Sequence, residues 1–81
     1  MNPQEYFDYA VKRLCLQIKN ELMGRLPSEN GWICDVKCAN RDIRNEIINI
    51  YREKGWEVEE HYDTYDECYY IYFYYKKKEQ Y

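Results

Sequence analysis

The sequence predicts an α+β domain in the order α-β-α-β-β, with two helices packed on one face of a three-stranded, mainly antiparallel sheet. Three observations lead there. Two stretches carry apolar residues at helical spacing between recognisable caps, two others alternate apolar with polar residues, and one run is aromatic almost throughout. In that run, Cys68-Tyr69-Tyr70-Ile71-Tyr72-Phe73-Tyr74-Tyr75, six of eight residues are aromatic and neither Gly nor Pro interrupts. Such a run is a strand, and alternate side chains of a strand point to opposite faces, so this one is aromatic on both. Either both faces are covered, or one tyrosine row is displayed to a partner.

The first helix opens at Asn2-Pro3-Gln4-Glu5. Asn2 suits the cap, Pro3 the first helical position, and Glu5 can reach back to the cap. The helix should run to about Met23, where Gly24 can end it and Pro27 blocks continuation. Phe7, Ala10, Val11, Leu14, Cys15, Ile18 and Leu22 recur at helical spacing and form the core stripe. A second line, Tyr9, Leu16 and Met23, repeats every seven residues on the opposite side, where Lys12, Arg13, Lys19 and Asn20 mark solvent. It reads either as packing under a neighbouring loop or tail, or as a contact with a second copy or a partner.

Ser28-Glu29-Asn30-Gly31 is a turn, and Trp32 to Cys38 reads as the first strand. Alternation places Trp32, Cys34, Val36 and Cys38 inward, and Ile33, Asp35 and Lys37 on the other face. Asn40 caps a second helix from Arg41 to about Lys54, with Ile43, Ile47, Ile50 and Tyr51 at core spacing, Ile48 on the shoulder and Gly55 just past the end. Trp56 to Tyr62 alternates again, with Trp56, Val58, Glu60 and Tyr62 on one face and Glu57, Glu59 and His61 on the other; Glu60 is the position that fits least well inward. Asp63 to Asp66 turns the chain and the tyrosine strand returns antiparallel. As the most hydrophobic strand it should take the centre, giving the spatial order first, third, second, with Tyr69, Ile71, Phe73 and Tyr75 in the core.

Eighty-one residues form one domain, near the lower size at which a single hydrophobic core suffices, so a large multi-lobed active site is not expected. A hydrophobic share of 46% with 19% aromatic argues against disorder, while a mean hydropathy of −0.95 and the lack of a long apolar run argue against a membrane span. The opening residues have neither a basic start nor a signal-like apolar stretch, so the expectation is a soluble, cytoplasmic chain. In that reducing compartment Cys15, Cys34, Cys38 and Cys68 read as small hydrophobes. Cys15 falls mid-helix and Cys34 and Cys38 along a strand, unlike the paired knuckles of a structural zinc site, so no metal, disulfide or cofactor is expected.

The two helices cover one sheet face and leave Tyr70, Tyr72 and Tyr74 down the middle of the other, bordered by Glu57, Glu59 and His61. Such a row can simply stiffen the sheet, recognise a protein, or stack the bases of single-stranded nucleic acid. The carboxylates argue against the last. Glu57, Glu59, Glu60, Asp63, Asp66 and Glu67 fall in one window without a Lys or Arg, in a chain of net charge −3, and would repel phosphates. Lys76, Lys77 and Lys78 close the chain and, with the helical bases, support the alternative of a nucleic-acid-associated regulator. Catalysis has little support: His61 is the one histidine, with no phosphate loop, nucleophile elbow or metal-binding partner, although Cys68 could share its face. The reading is a non-enzymatic protein-binding domain, its partner carrying a basic surface, with a homodimer as a further option.

The Ile-rich helix from Ile43, closing on Glu53-Lys54-Gly55-Trp56-Glu57-Val58-Glu59 and followed by an aromatic terminal strand, resembles a pattern common in small phage and prophage accessory proteins. The resemblance covers under half of the chain and carries over no site residue. It implies an inhibitor or modulator of host or defence machinery, of the anti-CRISPR kind.

Overall fold

The computed structural model describes residues 1–75, and the basic run Lys76, Lys77 and Lys78 lies outside them. The elements follow the predicted order: α1 (Pro3–Gly24), β1 (Trp32–Lys37), α2 (Arg41–Glu53), β2 (Glu57–Asp63) and β3 (Cys68–Tyr74). The sheet is antiparallel with order β1-β3-β2, so the tyrosine strand is central. The caps form as the residue types dictate. Asn2 accepts from the Glu5 amide at 2.8 Å while Glu5 accepts from the Asn2 amide at 2.9 Å, and Asn40 accepts from the Ile43 amide at 2.9 Å. Gly55 ends α2 at φ +94°, a conformation that a residue with a Cβ adopts only under strain. At the β2–β3 turn Asp63 Oδ1 accepts from the amides of Tyr65 and Asp66.

One core lies between the helices and one sheet face. Val11 and Ile18 of α1, Ile47, Ile48 and Tyr51 of α2, Ile33, Cys34 and Val36 of β1, Val58 of β2 and Ile71 and Phe73 of β3 are buried together, with Cys38 just beyond β1. Phe73 meets Tyr51 edge to face at 5.2 Å between ring centroids. Tyr51 also donates from its hydroxyl to the Cys15 carbonyl at 3.3 Å, which ties α2 to α1. Burial, with the Cys15 thiol beside it, pushes the Tyr51 phenol up to about 12. In the unfolded chain the same phenol ionises near its ordinary value of 10.0. Its contribution to stability is therefore complete below that value and lost as pH rises towards 12. Urea unfolding should show stability falling over this alkaline window, and the fall should shrink in Tyr51→Phe.

Three expectations need correction. The first concerns β1, where the register slips: Trp32 lies opposite Tyr74, yet Cys34 lies opposite Phe73. Ile33 is the extra residue of a β-bulge and turns into the core, while Trp32, expected inward, moves to the face of Tyr74. Gly31, at φ +91°, makes this entry to the strand. Its carbonyl accepts from the Tyr75 amide at 2.7 Å, and a Cβ there would stand 2.8 Å from the Tyr75 carbonyl oxygen.

The second correction concerns α2. Its buried face is Arg44, Ile47, Ile48 and Tyr51, and the expected core positions Ile43 and Ile50 are half-buried at its flanks. The third concerns the far end of the sheet. Ile71 and Phe73 are fully buried, but Tyr69 is 38% and Tyr62 51% exposed, and Tyr75 is also exposed. The helical layer stops at Arg44, which is only 3% exposed, and beyond it the β2–β3 hairpin is uncovered. Tyr62 and Tyr69 close on each other there, edge to face at 5.0 Å, rather than on a helix.

Arg44 seals that boundary. Its guanidinium pairs with Glu60, donates to the Cys38 carbonyl at 2.8 Å and the Ala39 carbonyl at 3.2 Å, and lies 4.1 Å over the Tyr69 ring. Glu60, the doubtful inward position of β2, is inward for this reason: it receives a buried cation instead of packing against carbon.

Candidate functional site

Residues directly opposite in an antiparallel ladder share a face. The register thus assembles the sheet face away from the helices as three rows: Trp32, Tyr74 and Glu57; Asp35, Tyr72 and Glu59; Lys37, Tyr70 and His61. The structure brings together all six residues expected there, Tyr70, Tyr72, Tyr74, Glu57, Glu59 and His61. It adds Trp32 in place of Ile33, an aromatic that strict alternation had sent to the core. The sheet residues of the hydrophobic core all point to the opposite side.

The row is half-buried, not fully displayed, because its side chains lie against one another. Tyr72 and Tyr74 stack with centroids 6.5 Å apart and planes at 27°, and the His61 ring lies 4.3 Å from that of Tyr72. His61 Nε2 is 2.8 Å from Glu59 Oε1. These contacts leave a rigid aromatic ridge whose rings have few rotors left to freeze on binding.

The charge on this face is mostly negative. Asp35 flanks Tyr72 on one side and Glu59 on the other, Glu57 flanks Tyr74, and Asp63 stands beyond His61 on β2. Lys37 is the one lysine among the described residues of this face, and its Nζ is 3.8 Å from Asp66. The Tyr70 hydroxyl donates to the same Asp66 carboxylate, which pushes that phenol up to about 12. Partial burial, and then the carboxylate of Glu59, raise the Tyr74 phenol as well. Both remain neutral hydroxyls at physiological pH, able to donate as well as accept.

Chemistry of other kinds finds less here. Cys68 is buried and its thiol turns to the Tyr69 carbonyl at 3.6 Å, while His61 is engaged with Glu59, so the thiol–imidazole pair that a shared face would permit does not form. All four cysteines are free thiols, and burial pushes Cys34 up to about 11. Among the described residues no three His, Cys, Asp or Glu side chains gather as a metal site, and no helix is long and apolar enough to cross a membrane.

The second predicted line divides. Leu16 and Met23 line a groove between α1 and α2, whereas Tyr9 lies further along α1, its hydroxyl accepting from Arg13 at 3.3 Å beside a separate depression near Ala39 and Ile43. Comparison with protein-family models, with curated proteins and with solved structures returned no match.

Proposed function

We propose that this chain is a non-enzymatic protein-binding domain that presents its aromatic, acidic sheet face to a basic surface on a partner. One observation carries the reading. A continuous face holds Trp32, Tyr70, Tyr72 and Tyr74 with Asp35, Glu57 and Glu59 around them, and the core makes no use of it. Lys and Arg side chains suit both halves of that surface, since their cations are attracted to aromatic faces and to carboxylates alike. Aromatic residues with rigid rings are the usual anchors of protein interfaces. The role of inhibitor or modulator, of the phage accessory kind, belongs to the same proposal and rests on the resemblance of the Ile43–Glu60 stretch.

The same face is poorly suited to nucleic acid. Sheet platforms that stack bases work with a cationic rim, and this rim is mainly acidic, with Asp35, Glu57 and Glu59 beside Lys37 and His61. Titration with labelled single-stranded DNA and RNA should therefore give no saturable binding at low salt. Tight binding that weakens steeply as salt rises would favour the nucleic-acid reading instead. Immobilised protein should meanwhile retain a protein partner from its native host, released by salt. A homodimer through this face predicts a concentration-dependent mass in sedimentation, and a strict monomer at high concentration removes it.

A further inference from the structure

A second surface, on the far side of the molecule, has the opposite character. Lys12, Cys15, Leu16, Lys19, Leu22 and Met23 occupy one face of α1, and with Ile50, Lys54 and Trp56 they line an open groove of about 690 Å³ between the two helices. Leu16 is 60% and Met23 76% exposed, and they stand together with Leu22, Ile50 and Trp56 as one apolar patch. Among the described residues, three of the four lysines line this groove, no carboxylate lines it, and none of the three lysines is in an ion pair. In a chain of net charge −3 this is a local reversal of sign.

The form of the groove selects what fills it. Its wall on α1 repeats at i, i+3, i+4 and i+7 from Lys12 and extends over roughly 16 Å, about three helical turns. Two helices side by side with an apolar floor accept a third helix, whose anchors recur at the same spacing. The lysines on both walls set the charge of its flanks. We infer that this groove binds an amphipathic helix of a partner protein, its apolar stripe seated on Leu16, Leu22, Met23, Ile50 and Trp56 and its flanking carboxylates paired with Lys12, Lys19 and Lys54. The groove is independent of the sheet face, so the chain has two docking surfaces of opposite charge.

The test uses the full chain and two labelled synthetic helices of about eighteen residues, long enough to be helical in water when Ala-rich. Both carry Leu at i, i+3, i+4 and i+7; one has Glu and the other Lys on the flanks. In fluorescence anisotropy the Glu-flanked helix should bind at least about tenfold more tightly at low salt, with the gap narrowing as salt rises. Leu16→Glu with Met23→Glu should abolish binding, and both positions are exposed enough for the fold to persist, as circular dichroism will show. Lys12→Glu, Lys19→Glu and Lys54→Glu together should reverse the preference. Tyr72→Ala should leave the affinity unchanged, which separates this inference from the sheet-face proposal. Equal affinity for the two helices, binding of neither, or indifference to Leu16→Glu with Met23→Glu would overturn it. So would self-association abolished by those same substitutions, which would make the occupant a second copy. Adsorption to phosphatidylglycerol vesicles that the Glu-flanked helix cannot displace would make it a lipid surface.

Discussion

Arg44→Ala should destabilise the domain by about 3 kcal/mol, a large part of what a chain of this size has to lose. The change removes a cation that is 3% exposed and strands three acceptors at once: the Glu60 carboxylate and the carbonyls of Cys38 and Ala39. It also removes the lid over the Tyr69 ring. Glu60 is 37% exposed at its side chain and can regain water, which holds the cost near the lower end for a broken buried pair. The carbonyl of buried Cys38 has less recourse than that of exposed Ala39, and leaving it unsatisfied costs about 1–3 kcal/mol. Thermal denaturation should show the midpoint falling by more than about 10 °C. Pairing Arg44→Met with Glu60→Met should recover part of the loss, because an apolar pair of similar volume leaves no orphaned charge. A drop of under about 1 kcal/mol in Arg44→Ala would mean that the guanidinium does not seal the end of the core.

The second large effect concerns recognition. Tyr70→Ala, Tyr72→Ala and Tyr74→Ala together should weaken capture of the partner from the native host by at least about 100-fold, as expected when two or more interface anchors are truncated. The triple change also removes the Tyr72–Tyr74 stack and the His61–Tyr72 contact, and cross-strand pairs contribute about 0.2–1 kcal/mol each to the sheet. A charge-reversed variant, Glu57→Lys with Glu59→Lys, supplies the arm that spares the fold. Both side chains are exposed, so stability should hardly move while affinity for a basic partner falls and its salt dependence flattens. Retained capture by both variants would place the interaction elsewhere on the molecule.

Much of this was legible in the residues. The order of elements follows from caps and periodicity, and the central place of β3 follows from its being the most hydrophobic strand. The face of Tyr70, Tyr72 and Tyr74 follows from period-two geometry once two helices are seen to offer one apolar stripe each. What escaped was local. Trp32, Ile33 and Cys34 are three apolar residues in succession, and strict alternation cannot send Ile33 and Cys34 to the same side. The bulge does so, by letting one residue go unpaired, and it carries Trp32 to the face of Tyr70, Tyr72 and Tyr74 as a result.

The consecutive apolar residues beside Gly31 were the available sign. Arg44 left a sign as well. It occupies the first position of the series Arg44, Ile47, Ile48 and Tyr51, and Glu60 occupies an inward position of β2, so two misplaced polar residues of opposite charge each explain the other. The exposure of Tyr62 and Tyr69 had no local sign, because it depends on how far α2 extends over the hairpin.

On the proposed function the sheet face, and not the helical side, meets a basic protein surface. Site-specific photo-crosslinking tests it most directly: p-benzoylphenylalanine replaces Tyr72 in one sample and Tyr6, exposed on α1, in another. Irradiated in the native host, the Tyr72 position should yield one discrete protein adduct whose crosslinked peptide is rich in Lys or Arg, and the Tyr6 position should not yield that adduct. Adducts to nucleic acid, or the same adduct from both positions, would contradict it.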